Sequence, residues 1–245
     1  IIYGPINSRR LGRSLGINLL PATYKLCSFN CIYCQYGWTD TQTDDALEYM
    51  DDLPTTDELR ETLESWLKQD QNIDYITFSG NGEPCVHPRF DQMVDVASKL
   101  RNRYVPHVRL AILSNSTCLK RSNVIEGLKR LDERIMKLDC GSEEIFQKVN
   151  RPHRSIKYEE VVESLKNLDD IVIQSVLVDG EISNIENKEI EKWIERLNYI
   201  KPREVQIYSI DRPSADQNLR LVGKEKLKEI ARKAEKAAGI SVKVF

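Results

Sequence analysis

Three cysteines, Cys27, Cys31 and Cys34, lie in one short segment with the spacing C-x3-C-x2-C. Three thiolates can hold three irons of a cubane 4Fe-4S cluster and leave the fourth iron without a protein ligand. An iron with an open position can bind a small molecule, so the spacing predicts a reactive cluster. Zinc is the alternative, but a closed zinc site needs four ligands, and no further cysteine or histidine occurs before Cys85.

The composition is that of a soluble α/β protein, with 245 residues, 40% hydrophobic content and a mean hydropathy of −0.47. No apolar run approaches the ~20 residues that cross a bilayer, and the first residues lack the features of a signal peptide. We therefore expect a cytoplasmic protein with no membrane partner. The net charge of −2 argues against a strongly basic nucleic-acid binder. Six cysteines without an export signal favour metal or redox use over disulfides.

Short strand-like runs alternate with amphipathic helical patterns along the chain. Strands are predicted at residues 14–20, 74–79, 108–114, 134–139, 171–178 and 204–209. Helices are predicted at residues 55–69, 89–103, 123–131, 158–168, 185–197 and 224–238. Six such units imply a parallel sheet with right-handed crossovers. Because a full eightfold barrel usually needs ~250 residues, we expect an α/β fold, a (β/α)6 partial TIM barrel. One domain would cover residues 1–245, with a cluster loop near 21–40 and a last strand near 240–245.

This architecture places the polar motifs at one end of the barrel. Active sites of such barrels lie at the carboxyl ends of the strands. The cysteine loop follows the first predicted strand, residues 80–84 follow the second, Ser114 ends the third and Asp139 ends the fourth. All four segments should therefore converge on one mouth.

Two of these segments carry charged groups suited to a small polar ligand. Gly80 and Gly82 permit close backbone approach, and Glu83 can accept hydrogen bonds from an ammonium or a hydroxyl; a plain strand-to-helix turn is the alternative. Lys137 and Asp139 are two residues apart on a strand and share a face. They suit a carboxylate and a ribose, with an internal ion pair as the alternative.

Neutral polar residues add to this mouth. Ser114 and Asn115 offer hydroxyl and amide contacts to a ribose, although a helix N-cap would use the same residue types. Gln174, Gln206 and Tyr208 are predicted to face inward as well. On the strand predicted at residues 204–209, apolar Val205 and Ile207 occupy the face opposite Gln206 and Tyr208, which supports the inward orientation of these two polar residues.

Two motifs together resemble those of the radical S-adenosyl-L-methionine (SAM) superfamily. The first is the cysteine motif with Tyr33 immediately before Cys34, and the second is Gly80-Asn81-Gly82-Glu83-Pro84. Shorter motifs resemble one subgroup, the short wyosine-synthetase-like iron–sulfur oxidoreductases. They are Tyr3-Gly4-Pro5, Ser8-Arg9-Arg10-Leu11-Gly12, Ser14-Leu15-Gly16, His87-Pro88, Asn150-Arg151-Pro152-His153 and Arg212-Pro213. The segment before the cysteines differs from that of genuine wyosine synthases, so their substrate is not carried over.

The resemblance implies a specific reaction. The open iron would chelate the methionine part of SAM, and an electron from the cluster would cleave the sulfonium to give methionine and a 5′-deoxyadenosyl radical. That radical would take a hydrogen atom from an unknown substrate, for which the sequence favours tRNA or a protein over a small enclosed metabolite. Flavodoxin or ferredoxin would supply the electron. The implied cluster ligands are Cys27, Cys31 and Cys34, and the implied SAM contacts are Tyr33, Gly80, Gly82, Glu83, Ser114, Asn115, Lys137, Asp139 and Gln174.

Two other functions use the same cysteines. One is a glycyl-radical-type activase that acts on a partner enzyme. The other is a non-catalytic iron–sulfur electron-transfer protein, which would need a fourth protein ligand on the cluster. The residues alone do not identify a catalytic side chain.

Three further cysteines occur near the predicted mouth, and basic residues cluster at other places along the chain. Cys85, Cys118 and Cys140 follow three of the strands, and they suit small buried core residues, a second cluster or a thiol hydrogen donor. Basic residues cluster at three places and suit either phosphate contacts or a solvated surface. These are Arg9, Arg10 and Arg13; Arg151, His153, Arg154 and Lys157; and Arg212.

Overall fold

The computed structural model describes residues 1–69 and 72–245 of the chain. Its strands are β1 (Ile2–Ser8), β2 (Gly12–Ile17), β3 (Leu26–Cys27), β4 (Thr41–Gln42), β5 (Tyr75–Phe78), β6 (Arg109–Ser114), β7 (Glu133–Lys137), β8 (Val172–Asp179), β9 (Glu204–Ser209), β10 (Arg220–Leu221) and β11 (Val242–Val244). Its helices are α1 (Thr56–Leu67), α2 (Phe90–Tyr104), α3 (Ser122–Leu128), α4 (Glu143–Val149), α5 (Tyr158–Lys166), α6 (Asn187–Ile200) and α7 (Lys224–Ala238), with 3-10 turns at Leu47–Asp52 and Pro84–Val86.

The main sheet runs in the order β1-β2-β5-β6-β7-β8-β9-β11. Every neighbouring pair from β2 to β11 is parallel, and β1 is antiparallel to β2. Residues 172–178 of β8 are all buried, which is typical of a parallel strand covered on both faces. The expected α/β fold, a partial TIM barrel with a parallel sheet, is confirmed.

Helix ends follow local sequence signals. Thr55 and Glu58 form a capping box before α1, and the buried Leu59, Leu63 and Leu67 repeat every four residues on its inner face. At the other end of the chain, α7 stops at Gly239, whose φ of 65° lies in the left-handed region. Both helices lie where the apolar periodicity predicts them.

Some sequence-based boundaries were wrong. The strand predicted at 14–20 ends at Ile17, and the strand predicted to end at Asp139 stops at Lys137. The strand β1 was missed because Gly4 and Pro5 are residue types depleted in strands. The helix α4 was missed because it has only seven residues. Arg9 and Arg10, expected simply to precede the first strand, lie in the β1–β2 hairpin turn.

Inside the barrel, a small apolar cluster separates from the main core. It contains the buried Leu11, Ala111, Ile135 and Val172, near the amino ends of the strands. Met136 packs in the main core instead. The side chains of β7 therefore alternate between the two faces of the strand as predicted, and Lys137 points into the barrel on the same face as Ile135. Leu11 is the last residue of the β1–β2 turn, so the end of this turn packs against the inside of the barrel.

Among the described residues, no helix combines the length and apolar character that a membrane crossing requires.

Candidate functional site

The cysteine loop is held by two distant segments. On one side, Ile32 donates its N–H to the carbonyl of Val149 at 3.0 Å. On the other, Asp216 N–H donates to the Ile32 carbonyl at 2.8 Å, and Ala215 N–H donates to the Cys34 carbonyl at 3.0 Å. The loop conformation therefore depends on the end of α4 and on the chain after β9.

Amide donors approach two of the three loop sulfurs. The Nδ2 atom of Asn115 is 3.7 Å from Cys27 Sγ, and the N–H of Phe29 is 3.5 Å from the same sulfur. The Nδ2 atom of Asn150 is 3.5 Å from Cys31 Sγ. Burial raises the pKa of the Cys27 thiol and raises the pKa of Cys31 to about 12. Because a bound metal deprotonates a coordinating thiol outright, a cluster would reverse this preference.

The donor set fits a cubane. Within residues 1–69 and 72–245, no three His, Cys, Asp or Glu side chains lie close enough together to hold a single metal ion. In a cubane each thiolate ligates a different iron, so its cysteines need not surround one point. Three thiols from one loop, with N–H groups aimed at two of them, are the chemistry that such a cluster uses.

Glu83 joins the turn after β5 to the loop after β6. Its Oε1 accepts from the Cys85 N–H at 3.0 Å and from the Ser114 hydroxyl at 2.8 Å. Its Oε2 accepts from the Asn115 N–H at 2.5 Å. Burial raises the pKa of Glu83, and these donors oppose the rise. The sequence-based proposal had Ser114 and Asn115 contacting a ribose, but both contact Glu83 here.

The helix-cap alternative for Ser114 and Asn115 is wrong. The next helix, α3, begins at Ser122 with Arg121 at its N-cap. Ser114 instead accepts the N–H of Ser116 at 3.1 Å. These side chains shape the loop after β6.

Asp139 is the centre of a second network. Its Oδ1 accepts from the Val176 N–H at 2.7 Å and lies 2.9 Å from Lys137 Nζ. Its Oδ2 accepts from the Tyr33 hydroxyl at 2.5 Å and from Asn150 Nδ2 at 2.7 Å. Burial by itself would lower the pKa of Lys137, but the Asp139 carboxylate outweighs it and raises that pKa. The ion-pair alternative is therefore present, and it connects β7 with the cysteine loop.

Asn150 is a residue whose contacts sequence reasoning missed. It belongs to the Asn150-Arg151-Pro152-His153 motif, whose family resemblance assigns no role to the Asn150 side chain. Its Nδ2 lies within 3.5 Å of both Cys31 Sγ and the Tyr33 hydroxyl. The motif was the available signal, but spacing alone could not show that it returns to the cysteines.

The predicted inward-facing residues of β8 and β9 meet inside the barrel. Gln174 Nε2 donates to Gln206 Oε1 at 3.1 Å, and the Tyr208 hydroxyl donates to Gln174 Oε1 at 3.2 Å. Lys137 Nζ lies 5.5 Å from the centre of the Tyr208 ring. The two strands thus extend the polar surface beyond Lys137.

The two glycines of the 80–84 segment are required by close approach of the chain to itself. A Cβ at Gly82 would lie 1.9 Å from the carbonyl oxygen of Leu26. A Cβ at Gly80 would lie 2.2 Å from Asn18 Oδ1. Since Leu26 precedes Cys27, this turn braces the start of the cysteine loop.

An open cavity of about 410 Å³ lies on the other side of the mouth. The β1–β2 hairpin contributes Tyr3 and Arg10, the cysteine loop contributes Cys34, β9 contributes Tyr208 and the chain after β9 contributes Arg212. Apart from Tyr33, none of the predicted SAM contacts lines it. The mouth therefore has a closed half, occupied by internal hydrogen bonds, and an open half.

The three remaining cysteines are buried. Cys85 Sγ lies 3.6 Å from Ser114 Oγ, Cys140 Sγ lies 3.6 Å from Asn150 Oδ1, and Cys118 Sγ lies 3.8 Å from a backbone carbonyl. Burial raises the pKa of each thiol. Their surroundings are those of small core residues.

Comparison with known proteins identifies the family. The model described as "Radical SAM superfamily" matches residues 22–182. A UPF0026 protein, slr1464 of Synechocystis sp., is 32% identical over 219 residues, which are 86% of this chain and 76% of that protein. The chain therefore belongs to the radical SAM superfamily, whose members use a 4Fe-4S cluster and SAM. The particular group that it matches is UPF0026.

Two further matches differ in their sequence identity to this chain and in the fraction of each protein that is covered. "GTPase Obg" of Brachyspira hyodysenteriae is 26% identical over 246 residues, 99% of this chain, but the chain spans only 35% of that protein. A radical SAM methyltransferase from Sphaerobacter thermophilus superposes with a TM-score of 0.66 at 14% identity, covering 95% of this chain and 65% of that one. At that identity the superposition shows the shared fold.

Proposed function

We propose that the protein is an enzyme in which Cys27, Cys31 and Cys34 ligate a 4Fe-4S cluster with one open iron. When bound and reduced, the cluster supplies one electron that cleaves SAM to methionine and a 5′-deoxyadenosyl radical, which takes a hydrogen atom from a substrate. The observation that supports this is the cysteine loop itself, placed at the carboxyl ends of parallel strands with amide donors at two sulfurs.

The closed half of the mouth would orient SAM. A carboxylate has about four acceptor positions, and Glu83 uses three of them on donors at 3.0 Å or less. The fourth would accept from the SAM ammonium. Lys137 has three N–H donors, and its Nζ lies 2.9 Å from Asp139 Oδ1 but has no hydrogen-bond partner among the described residues, so it would donate to the SAM carboxylate.

The remaining predicted contacts would bind the rest of SAM. Tyr33 donates a hydrogen bond to Asp139, the ion-pair partner of Lys137. Gln174 accepts one from Tyr208, whose ring centre lies 5.5 Å from Lys137 Nζ. Asn115 has its side chain at Ser28 and Cys27, so it would border both the cluster and the ribose. In this proposal Gly80 and Gly82 act indirectly, by bracing the loop.

The reaction type would be oxidoreductase or transferase, on a substrate that is tRNA or a protein. A flavodoxin or ferredoxin would deliver the electron. We propose a cytoplasmic location because all six cysteines are unpaired, as is usual in reducing compartments.

The test is SAM cleavage. The protein is reconstituted anaerobically with iron and sulfide, then given dithionite and SAM, and 5′-deoxyadenosine is measured with a sample lacking dithionite as control. Release that depends on dithionite supports the proposal. A fully loaded protein that releases none would be an electron-transfer protein instead.

A further inference from the structure

The cavity in the open half of the mouth contains a cation without a counter-ion. Arg10 lies in the β1–β2 turn, with its guanidinium carbon 4.3 Å from the centre of the Tyr208 ring and 5.8 Å from that of Phe245. Its Nη1 is buried and has no hydrogen-bond partner among the described residues. The two rings hold the guanidinium in place but do not neutralise it.

The neighbouring Arg9 differs from Arg10 in having an acidic partner. Arg9 lines the same cavity, but its Nη2 lies 2.8 Å from the Asp211 carboxylate. Asp211 also accepts from Gln35 at 3.3 Å. Among the described residues, Asp211 is the single acidic side chain that lines this cavity, and because it is already paired, Arg10 has no compensating charge.

A second arginine adds to the positive charge. Arg212 is exposed at the cavity rim, and within residues 1–69 and 72–245 its charge is matched by no ion pair closer than 4 Å. Tyr3 and Tyr36 also line this cavity. The cavity therefore combines two unmatched guanidinium groups with aromatic surface.

These features define a ligand class. A guanidinium presents a planar fork that matches a phosphate or carboxylate, and a partly buried charge is costly unless it is paired. A cavity of about 410 Å³ is within the range of small-ligand sites. We infer that this cavity binds the anionic group of the substrate, a phosphate or carboxylate, at Arg10 and Arg212, with an adjoining ring against the tyrosines.

The position suits a substrate site beside the reaction centre. Cys34 lines this cavity, and so does Tyr33. The other proposed SAM contacts lie in the closed half, so both ligands would be bound together. This inference rests on the proposed function, because only a radical enzyme would need its substrate next to Cys34.

The test measures anion binding directly. Isothermal titration calorimetry is carried out anaerobically on the cluster-loaded protein with saturating SAM, using phenyl phosphate, benzoate and neutral phenol. The variants are Arg10→Met and Arg212→Gln. The matched control is Arg232→Gln, which removes the same charge from the exposed face of α7. We expect each cavity variant to bind the anions at least tenfold more weakly, while phenol binding and the control stay unchanged.

The outcomes separate the two proposals. Preference for phenyl phosphate over benzoate would assign a phosphate substrate, and the reverse would assign a carboxylate. Equal anion binding by wild type and both variants, or displacement of SAM by phenyl phosphate, would overturn the inference. Because Arg10 also packs against Tyr208 and Phe245, the exposed Arg212→Gln is the variant that leaves the core intact. Wild-type release of 5′-deoxyadenosine, measured in parallel, tests the proposed function independently of anion binding.

Discussion

The two halves of the barrel mouth use their polar groups in opposite ways. In the closed half, Glu83 and Asp139 are buried and accept hydrogen bonds from several elements. In the open half, Arg10 and Arg212 line a cavity and have no acidic partner among the described residues. The difference indicates that the closed half is already organised, whereas the open half is completed by a ligand.

Organisation of the closed half links the cysteines to the sheet. Asp139 contacts Tyr33 of the cysteine loop, Asn150 after α4 and Val176 of β8. Supporting hydrogen bonds of this kind hold functional groups in position and raise the precision of a site. Changes in the closed half should therefore alter stability and the cluster, while changes in the open half should alter ligand binding.

The largest effect is expected at the cluster. Cys31→Ala removes one of three thiolate ligands, so the reconstituted protein should lose its iron, its brown colour and 5′-deoxyadenosine release. Iron and sulfide analysis with the visible spectrum measures this. The matched control is Cys118→Ala, a buried cysteine between β6 and α3, which should keep a full cluster. Equal iron in both variants would remove Cys31 from the ligand set.

The next effect concerns the buried ion pair. Asp139→Ala leaves Lys137 without its carboxylate, and breaking a buried pair in this way costs about 3–5 kcal/mol of unfolding free energy. Anaerobic urea denaturation measures the loss. The control is Glu126→Ala, which breaks an exposed pair with Lys129 and should not change the midpoint. A double variant, Lys137→Met with Asp139→Leu, should recover only part of the stability, because no lone charge remains but the donors of Tyr33, Asn150 and Val176 lose their acceptor. Similar midpoints for Asp139→Ala and Glu126→Ala would mean that the closed half is not stabilised by this pair.

The fold could be predicted where its causes are local. Period-two and period-3.6 patterns predicted β6 within one residue and both ends of α7. The pattern also predicted that Lys137 and Asp139 share a face, since residues two apart on a strand do so. The strand β1 was not predicted because Gly4 and Pro5 are residue types depleted in strands. It forms nevertheless, because it pairs with β2.

The partners of the site residues could not be predicted in the same way. Glu83 and Asn115 are joined across 32 positions, and Asp139 and Val176 across 37. Such contacts depend on strand register and loop path, which motif spacing does not contain. Sequence reasoning therefore identified residues at the correct strand ends but assigned Ser114 and Asn115 to a ligand without showing their bonds to Glu83.

A buried histidine after the Pro84–Val86 turn should make stability depend on pH. His87 Nε2–H donates to the Pro54 carbonyl, and its Nδ1 accepts from the Arg89 N–H, both at 3.1 Å. Burial lowers the pKa of His87 from 6.5 to about 4. The unfolded chain thus binds a proton that the folded chain does not, so stability is full above pH 6.5 and falls as the pH drops towards 4. The loss between pH 7 and 5 should be about 2 kcal/mol.

Anaerobic unfolding at pH 7 and pH 5 measures that slope. His87→Gln should remove the part that His87 contributes. His107→Gln, at an exposed position, is the control and should retain the wild-type slope. If His87→Gln and the wild type lose the same stability over this range, another group of the molecule is responsible for its acid sensitivity.

The smallest expected effect sharpens the comparison at the cysteines themselves. Asn150 Nδ2 lies 3.5 Å from Cys31 Sγ, whereas Asn115 Nδ2 lies 3.7 Å from Cys27 Sγ. Hydrogen bonds to cluster sulfurs favour the reduced, more negative state, so Asn150→Ala should lower the reduction potential. One hydrogen bond worth about 1.4 kcal/mol corresponds to about 60 mV for one electron, which sets the upper size of the shift.

Anaerobic potentiometric titration monitored by electron paramagnetic resonance measures that potential. Asn115→Ala should give a smaller decrease because its contact is longer, and Asn123→Ala, which contacts the Pro88 carbonyl instead, should give none. This order would show that the closed half adjusts the cluster as well as holding its loop. An unchanged potential in Asn150→Ala, with reduced stability, would mean that the Asn150 amide serves Asp139 alone.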